Sequence, residues 1–149
     1  MTPEKIKRMM DACYQAKRIR ELLPPLPSGV TPAYVRYMDV IGRLKQTKDA
    51  VKISDVSDYL KLPRPGVTRT INEMVEKGYL KKNMSDEDKR VTYINITERG
   101  QQLSQKYDTD YYSRLCPYLE HISDEDADCM IETIEKLYKV MSEGSVRIE

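Results

Sequence analysis

Hydrophobic positions recur most regularly between Ile53 and Gly100. In the stretch PGVTRTINEMVEKG, which begins at Pro65, the apolar residues Val67, Ile71, Met74 and Val75 fall at i, i+4, i+7 and i+8. That spacing makes one buried stripe on a helix. Pro65 stands at a first-turn position, where its missing N–H costs nothing, and Gly78 suits the left-handed cap that ends a helix. The opposite face is polar, with Thr68, Arg69, Asn72 and Glu73. Just upstream, a short helix over 54–60 can start on Ser54 as N-cap and bury Ile53, Val56 and Leu60. The four residues KLPR join the two helices, a length compatible with a helix-turn-helix. After Gly78 the period changes to two. Leu80, Ile94 and Ile96 face inward and Lys81, Lys82 or Asn95 outward, which predicts strands over 79–84 and 90–96. The polar run SDEDKR between them forms a hairpin tip. A helix-turn-helix followed by a two-stranded hairpin is a winged helix.

The flanks read as helices with clear punctuation. Thr2-Pro3 is a cap followed by a first-turn Pro, predicting a helix to about Leu23. Three prolines and a Gly between Leu22 and Gly29 break it. Thr31-Pro32 repeats the start signal for a helix to about Gln46, with Tyr37, Val40, Ile41 and Leu44 on its apolar face. Thr97 can cap a long helix to about His121, with Leu103, Tyr107, Tyr111, Leu115 and Tyr118 along one side. Pro117 should kink or end that helix. Ser123 followed by three acidic residues starts a last helix, with Met130, Ile134, Leu137 and Met141 in one row. Gly144 closes it, and the last five residues are expected to fray. The expected fold is mostly α with a small β-hairpin wing, an α+β class. Residues 31–100 form the winged helix-turn-helix, and residues 1–30 and 101–149 a helical dimerisation region. The terminal stripes either close one intramolecular core or, as the sharper reading, form a two-fold interface.

Composition narrows the setting. The 149 residues suffice for one domain, and no apolar run approaches the ~20 residues of a membrane span. The N-terminus MTPEKIKRMM has no signal-peptide core, so the expected location is the cytoplasm, with no membrane partner. Cys13, Cys116 and Cys129 are widely spaced and suggest neither a metal motif nor a disulfide framework. Net charge is +1 overall, but it is unevenly spread. Residues 43–106 hold 14 Lys/Arg against 9 Asp/Glu, net +5, whereas residues 107–149 hold 4 against 11, net −7. The winged-helix segment is thus the basic one, as a surface that meets phosphates requires. Short donors and an Arg on the exposed face of an anchored helix suit base edges in a major groove.

The stretch LPRPGVTRTINEMVEKGYLKKNMSDEDKRVTYINITERG resembles the MarR family of bacterial transcription regulators. The likeness is carried chiefly by Asp88-Lys89-Arg90 and by Ile96-Thr97-Glu98-Arg99-Gly100. These residues match the family's D-x-R wing and its L-T-x-x-G strand exit, with Ile96 in place of the usual Leu. The resemblance implies a homodimer that binds double-stranded operator DNA with an inverted repeat. It also implies that Asp88 pairs with Arg90 and fixes its direction. In this reading Thr68, Arg69 and Asn72 read base edges, while Arg64 and the backbone N–H groups beside Pro65 hold phosphates. Arg90 enters the minor groove, and Lys89, Lys81 and Lys82 add sequence-independent attraction. Asp86, Glu87 and Asp88 leave the wing less basic than it could be.

The resemblance further implies either a small, often phenolic effector or an oxidisable cysteine, and a repressor more than an activator. Tyr34 and Tyr37, one turn apart, together with Arg36, are the candidate effector pocket; core packing is the alternative for the two tyrosines. Cys13 resembles by position the sensing cysteine of the family's organic-hydroperoxide branch, although Lys17 stands where an aromatic partner is expected. A buried inert thiol is the competing reading. Nothing points to catalysis or to a cofactor. His121 is the sole histidine, and no Gly-rich phosphate loop or nucleophile–base pair is present. A winged helix used purely as a protein-interaction module is the competitor from another class, and Arg69, Asn72 and Arg90 argue against it.

Overall fold

The computed structural model describes residues 1–85 and 88–144. The expected fraying of residues 145–149 and the charge of Asp86 and Glu87 at the wing lie outside the described residues. The described chain runs α1 (Pro3–Glu21), α2 (Pro32–Lys45), β1 (Val51–Lys52), α3 (Ile53–Leu60), α4 (Arg64–Glu76), β2 (Leu80–Met84), β3 (Thr92–Ile96), α5 (Glu98–Ser104), α6 (Asp110–Leu115) and α7 (Asp124–Ser142). It separates into two compact units, Met1–Thr109 and the chain from Asp110 onward.

In the first unit the core is built by α2, α3, α4 and the sheet. Tyr34, Tyr37, Met38, Val40 and Ile41 of α2 pack with Val56 and Leu60 of α3, with Val67, Ile71 and Met74 of α4, and with Val51, Leu80 and Ile94 of the strands. Burying one such aliphatic side chain contributes ~1.5–3 kcal/mol. Three from α4 alone outweigh the modest helix propensities of its Gly, Thr and Asn residues. The end of α4 is a Schellman turn. Gly78 takes φ +77°, its N–H donates to the Val75 carbonyl, and the Tyr79 N–H donates to the Met74 carbonyl at 2.8 Å.

The sheet is antiparallel with order β1-β3-β2. The hairpin pairs Leu80 with Ile96 and Lys81 with Asn95, as the two-residue alternation requires, whereas Lys82, expected outward, pairs with Ile94 and so shares the face of Leu80, where its ammonium reaches Asn72 of α4. A third strand, β1, pairs Val51 with Ile94, so the two-stranded expectation becomes a three-stranded sheet. Two residues are too few to show alternation in sequence. β3 begins at Thr92 rather than at Arg90, because Lys89 and Arg90 belong to the turn. Helix α3 begins at Ile53, so Ser54 is not its cap. Instead the Asp55 carboxylate reaches back to accept the Lys52 N–H at 2.8 Å, and it also takes the Lys48 ammonium at 2.5 Å. Burial would push the Asp55 carboxyl up, but those donors outweigh it and hold it below the ordinary range.

Thr97 caps α5 as expected, its Oγ1 accepting the Gly100 N–H at 3.2 Å. The same hydroxyl donates to the Gly78 carbonyl at 2.6 Å. The long helix predicted from Thr97 to His121 is interrupted: Gln105–Thr109 is a π-helical turn, and Cys116–Leu119, which contains Pro117, is a 3₁₀ turn. Pro117 lacks the N–H that an α-helix would need there, and the chain tightens and stops.

In the second unit, Ser123 caps α7 by accepting the Asp126 N–H at 3.1 Å. None of the residues of α7 is buried, and Met130, Ile131, Ile134, Tyr138 and Met141 are exposed. Helix α1 likewise buries none of its residues and leaves Ile6, Tyr14 and Ile19 exposed. Among the described residues, no helix is long and apolar enough to cross a membrane.

The crossing of α5 and the sheet leaves no room at Gly100, where an added Cβ would lie 2.3 Å from the Tyr79 carbonyl oxygen and 2.8 Å from Ile96. Gly100→Ala should therefore lower stability by roughly 1–3 kcal/mol, as overpacking usually does. Denaturant unfolding reads this directly, and an unchanged midpoint would contradict the packing described.

Candidate nucleic-acid interface

Two elements of the first unit present the sequence-predicted binding residues. The first is α4. Its buried stripe fixes the rotation of the helix, so the face opposite Ile71 and Met74 is the one left to solvent. Arg64, Pro65, Arg69 and Asn72 are exposed there, and Thr68 is half-buried. Arg64 and Pro65 open the helix after Pro63, so the free N–H groups of the first turn lie beside the Arg64 side chain. Together they place backbone donors and a cation at one end of a row of donors.

Two residues of the polar face have partners that sequence spacing could not reveal. Asn72 Oδ1 accepts a hydrogen bond from the Lys82 ammonium of β2. Its amide N–H₂ donors are thereby left to face outward, beside the Lys82 charge. Glu73, although exposed, accepts from the Tyr34 hydroxyl at 3.4 Å. The Lys82–Asn72 contact joins α4 to β2, the strand that follows it.

The second element is the wing turn. Arg90 Nε donates to Asp88 Oδ1 at 3.1 Å and Arg90 Nη2 to Asp88 Oδ2 at 3.2 Å. The Arg90 backbone N–H also donates to Oδ1, at 3.0 Å. A fork-to-fork pair of this kind fixes the plane of the guanidinium, while the Arg90 side chain remains 91% exposed. The Arg90 guanidinium, followed by its N–H, holds the Asp88 carboxyl below its ordinary range. Lys89 is exposed between them, and the Asp88 N–H donates to Ser85 Oγ at 3.3 Å.

The other candidate residues are placed differently. Tyr34 and Tyr37 are core residues, at 1% and 5% exposure, while Arg36 is exposed. The Tyr34 ring lies 6.0 Å from that of Tyr79. Cys13 is exposed on α1, as are Cys116 and Cys129 on their own segments. Among the described residues, no cluster of His, Cys, Asp or Glu could hold a metal ion.

The Asp88–Arg90 pair sets a pH dependence. A carboxyl with a depressed pKa keeps its bonds above the ordinary carboxylate pKa, about 3.9, and loses them as pH falls through the lower folded value. Carboxyl NMR titration should show Asp88 with a midpoint below that of the other exposed aspartates. Asp88→Asn should release the Arg90 side chain, seen as faster guanidinium dynamics, without moving Tm, because exposed pairs add little to stability.

Residues 28–91 match the sequence profile of the MarR family. No curated protein matches the chain. Solved structures of similar fold include FabT of Streptococcus pneumoniae in complex with DNA, 20% identical, TM-score 0.69, covering 95% of this chain and 99% of that one. A MarR/EmrR family transcriptional regulator from Acinetobacter sp. ADP1 is 24% identical, with TM-score 0.64 and coverage of 93% and 98%. The MepR–DNA complex of Staphylococcus aureus is 15% identical, with TM-score 0.62 and coverage of 95% and 99%.

Proposed function

We propose that this chain, whose residues 28–91 match the MarR family model, is a homodimeric transcription regulator that binds double-stranded operator DNA through α4 and the wing turn. The observation that carries the reading is the pairing of two donor-rich elements on one lobe. An anchored helix exposes Arg64, Arg69 and Asn72, and a turn exposes an Arg90 held in plane by Asp88. Solved structures of this fold in complex with DNA support it.

In the proposed complex, α4 enters the major groove with Thr68, Arg69 and Asn72 on base edges. Arg64 and the first-turn N–H groups hold phosphates, and Arg90 reaches the minor groove with Lys89 beside it. Asn72 has its carbonyl oxygen occupied by Lys82, so the pair presents donors only. Donors alone match the two acceptors of guanine, N7 and O6, better than the acceptor–donor edge of adenine. The exposed apolar rows of α1 and α7 supply the surface for a second copy, and a two-fold dimer requires an inverted-repeat operator. Occupying promoter DNA in this way gives repression, relieved when a small-molecule effector favours a conformation with lower DNA affinity. The buried Tyr34 and Tyr37 side chains serve as packing in this scheme.

Two experiments test it. Footprinting on the DNA upstream of the protein's own gene, across a salt series, should reveal a protected inverted repeat and a steep salt slope. Arg69→Ala with Arg90→Ala should abolish the footprint while dimer mass and Tm persist; unchanged binding would remove both residues from the interface. Lys82→Met, which frees the Asn72 carbonyl oxygen, should shift base preference at that position from guanine toward adenine in selection from random duplexes. Loss of affinity with no change of preference would limit Lys82 to a phosphate contact.

A further inference from the structure

The C-terminal end of α4 carries contacts that DNA recognition as described does not use. Lys77, the residue that ends α4, sends its ammonium to the Gly29 carbonyl at 2.5 Å. Gly29 lies in the proline-rich connection between α1 and α2, at φ +75°. Lys77 Nζ also stands 5.3 Å from the centroid of the Tyr34 ring. One turn earlier on α4, Glu73 accepts from the Tyr34 hydroxyl at 3.4 Å. The Tyr34 ring neighbours the Tyr79 ring at 6.0 Å, and Arg99 of α5 lies over the Tyr79 ring at 4.7 Å, its Nη2 donating to the Tyr79 hydroxyl at 3.3 Å. The contacts run from Lys77 to Tyr34, from Tyr34 to Tyr79 and from Tyr79 to Arg99, linking two cations through two neighbouring rings.

This chain of contacts stands where the lobe is joined to the rest of the chain. The connection at Gly29 leads back to α1, and α5 leads on toward the terminal helices. Both reach the same end of α4, one through Lys77 and the other through Arg99. Val30, next to Gly29, packs against the core, and its N–H donates to the Pro27 carbonyl, so the connection is held at two neighbouring points. Glu73 and Lys77 are four residues apart and so lie on one side of α4. They grip α2 and the connection while the donor face remains open.

We propose that Lys77 is a positioning residue: it ties the α1–α2 connection to the end of α4 and so sets the angle at which α4 meets DNA. The inference rests on the DNA-binding reading above. It differs from a phosphate contact, since the ammonium is spent on a backbone carbonyl and a ring of the protein itself. A displacement of the connection would pass directly into the tilt of the recognition helix.

Lys77→Met keeps the alkyl stem and removes both the bond and the charge; Lys77→Arg keeps a cation able to reach Gly29. Duplexes selected from a random library by the wild-type protein, and an unselected duplex, serve as probes. Lys77→Met should bind the selected duplex more weakly by on the order of tenfold, within the usual range of coupling between sites. Its affinity for the unselected duplex and its salt slope should be unchanged, and Lys77→Arg should restore wild-type binding. A uniform loss on both duplexes with the salt slope reduced by about one would make Lys77 a phosphate contact and overturn the inference, as would unchanged binding. Amide hydrogen exchange in the free protein tests the tether without DNA. Lys77→Met should speed exchange both at residues 27–31 and at residues 76–79, and unchanged exchange would overturn the inference. If the wild type selects no duplex, the proposed function fails, and the exchange result alone then decides the tether.

Discussion

The lobe depends on one hydroxyl. Thr97 Oγ1 accepts the N–H of Gly100, donates to the carbonyl of Gly78 and lies 3.1 Å from the carbonyl of Tyr79. The Thr97 N–H donates to the same Tyr79 carbonyl. These bonds join the end of the recognition helix, the end of the hairpin and the start of α5 at a single place. Gly100 is needed because this knot brings α5 against the Tyr79 carbonyl at a distance no side chain tolerates. Apolar burial provides the larger energy, but it is non-directional. The hydroxyl and its carbonyls decide which way the hairpin leaves α4, and hence whether Lys82 arrives beside Asn72.

The local features were legible in the sequence because their causes are local. The stripe Val67, Ile71, Met74 sets the rotation of α4, and three Ser or Thr caps and Gly78 mark ends that the structure keeps. The Asp88–Arg90 pair was legible only through family resemblance, since two opposite charges two residues apart carry no fixed geometry of their own. Long-range features were not legible. Strand β1 exists because β3 offers Val51 a partner far along the chain. The Asp55 carboxylate, not Ser54, stabilises the start of α3, and it also holds Lys48, which lies seven residues back in a separate segment. Lys82 on Asn72, and Lys77 on Gly29, join residues whose proximity only the assembled lobe creates.

The tyrosines show how spacing alone misleads about purpose. Tyr34 and Tyr37 are a turn apart near the junction of the lobe and its flanks, which suits either a ligand wall or a core. Burial at 1% and 5% gives them packing positions. The Tyr34 hydroxyl finds the Glu73 carboxylate, so a residue of the exposed face also serves as a partner for the core.

Helix α7 has 19 residues and none of them is buried. A solitary helix of that length is marginal in water, and its apolar row gains free energy only when another surface covers it. If that surface is a second copy, order in the helix follows mass action. The amount of protein in the cell then becomes a regulatory variable in its own right. On the proposed function, single lobes at low abundance would bind one half-site weakly, and paired lobes at higher abundance would bind both half-sites together. Occupancy then rises more steeply than concentration, with no ligand involved.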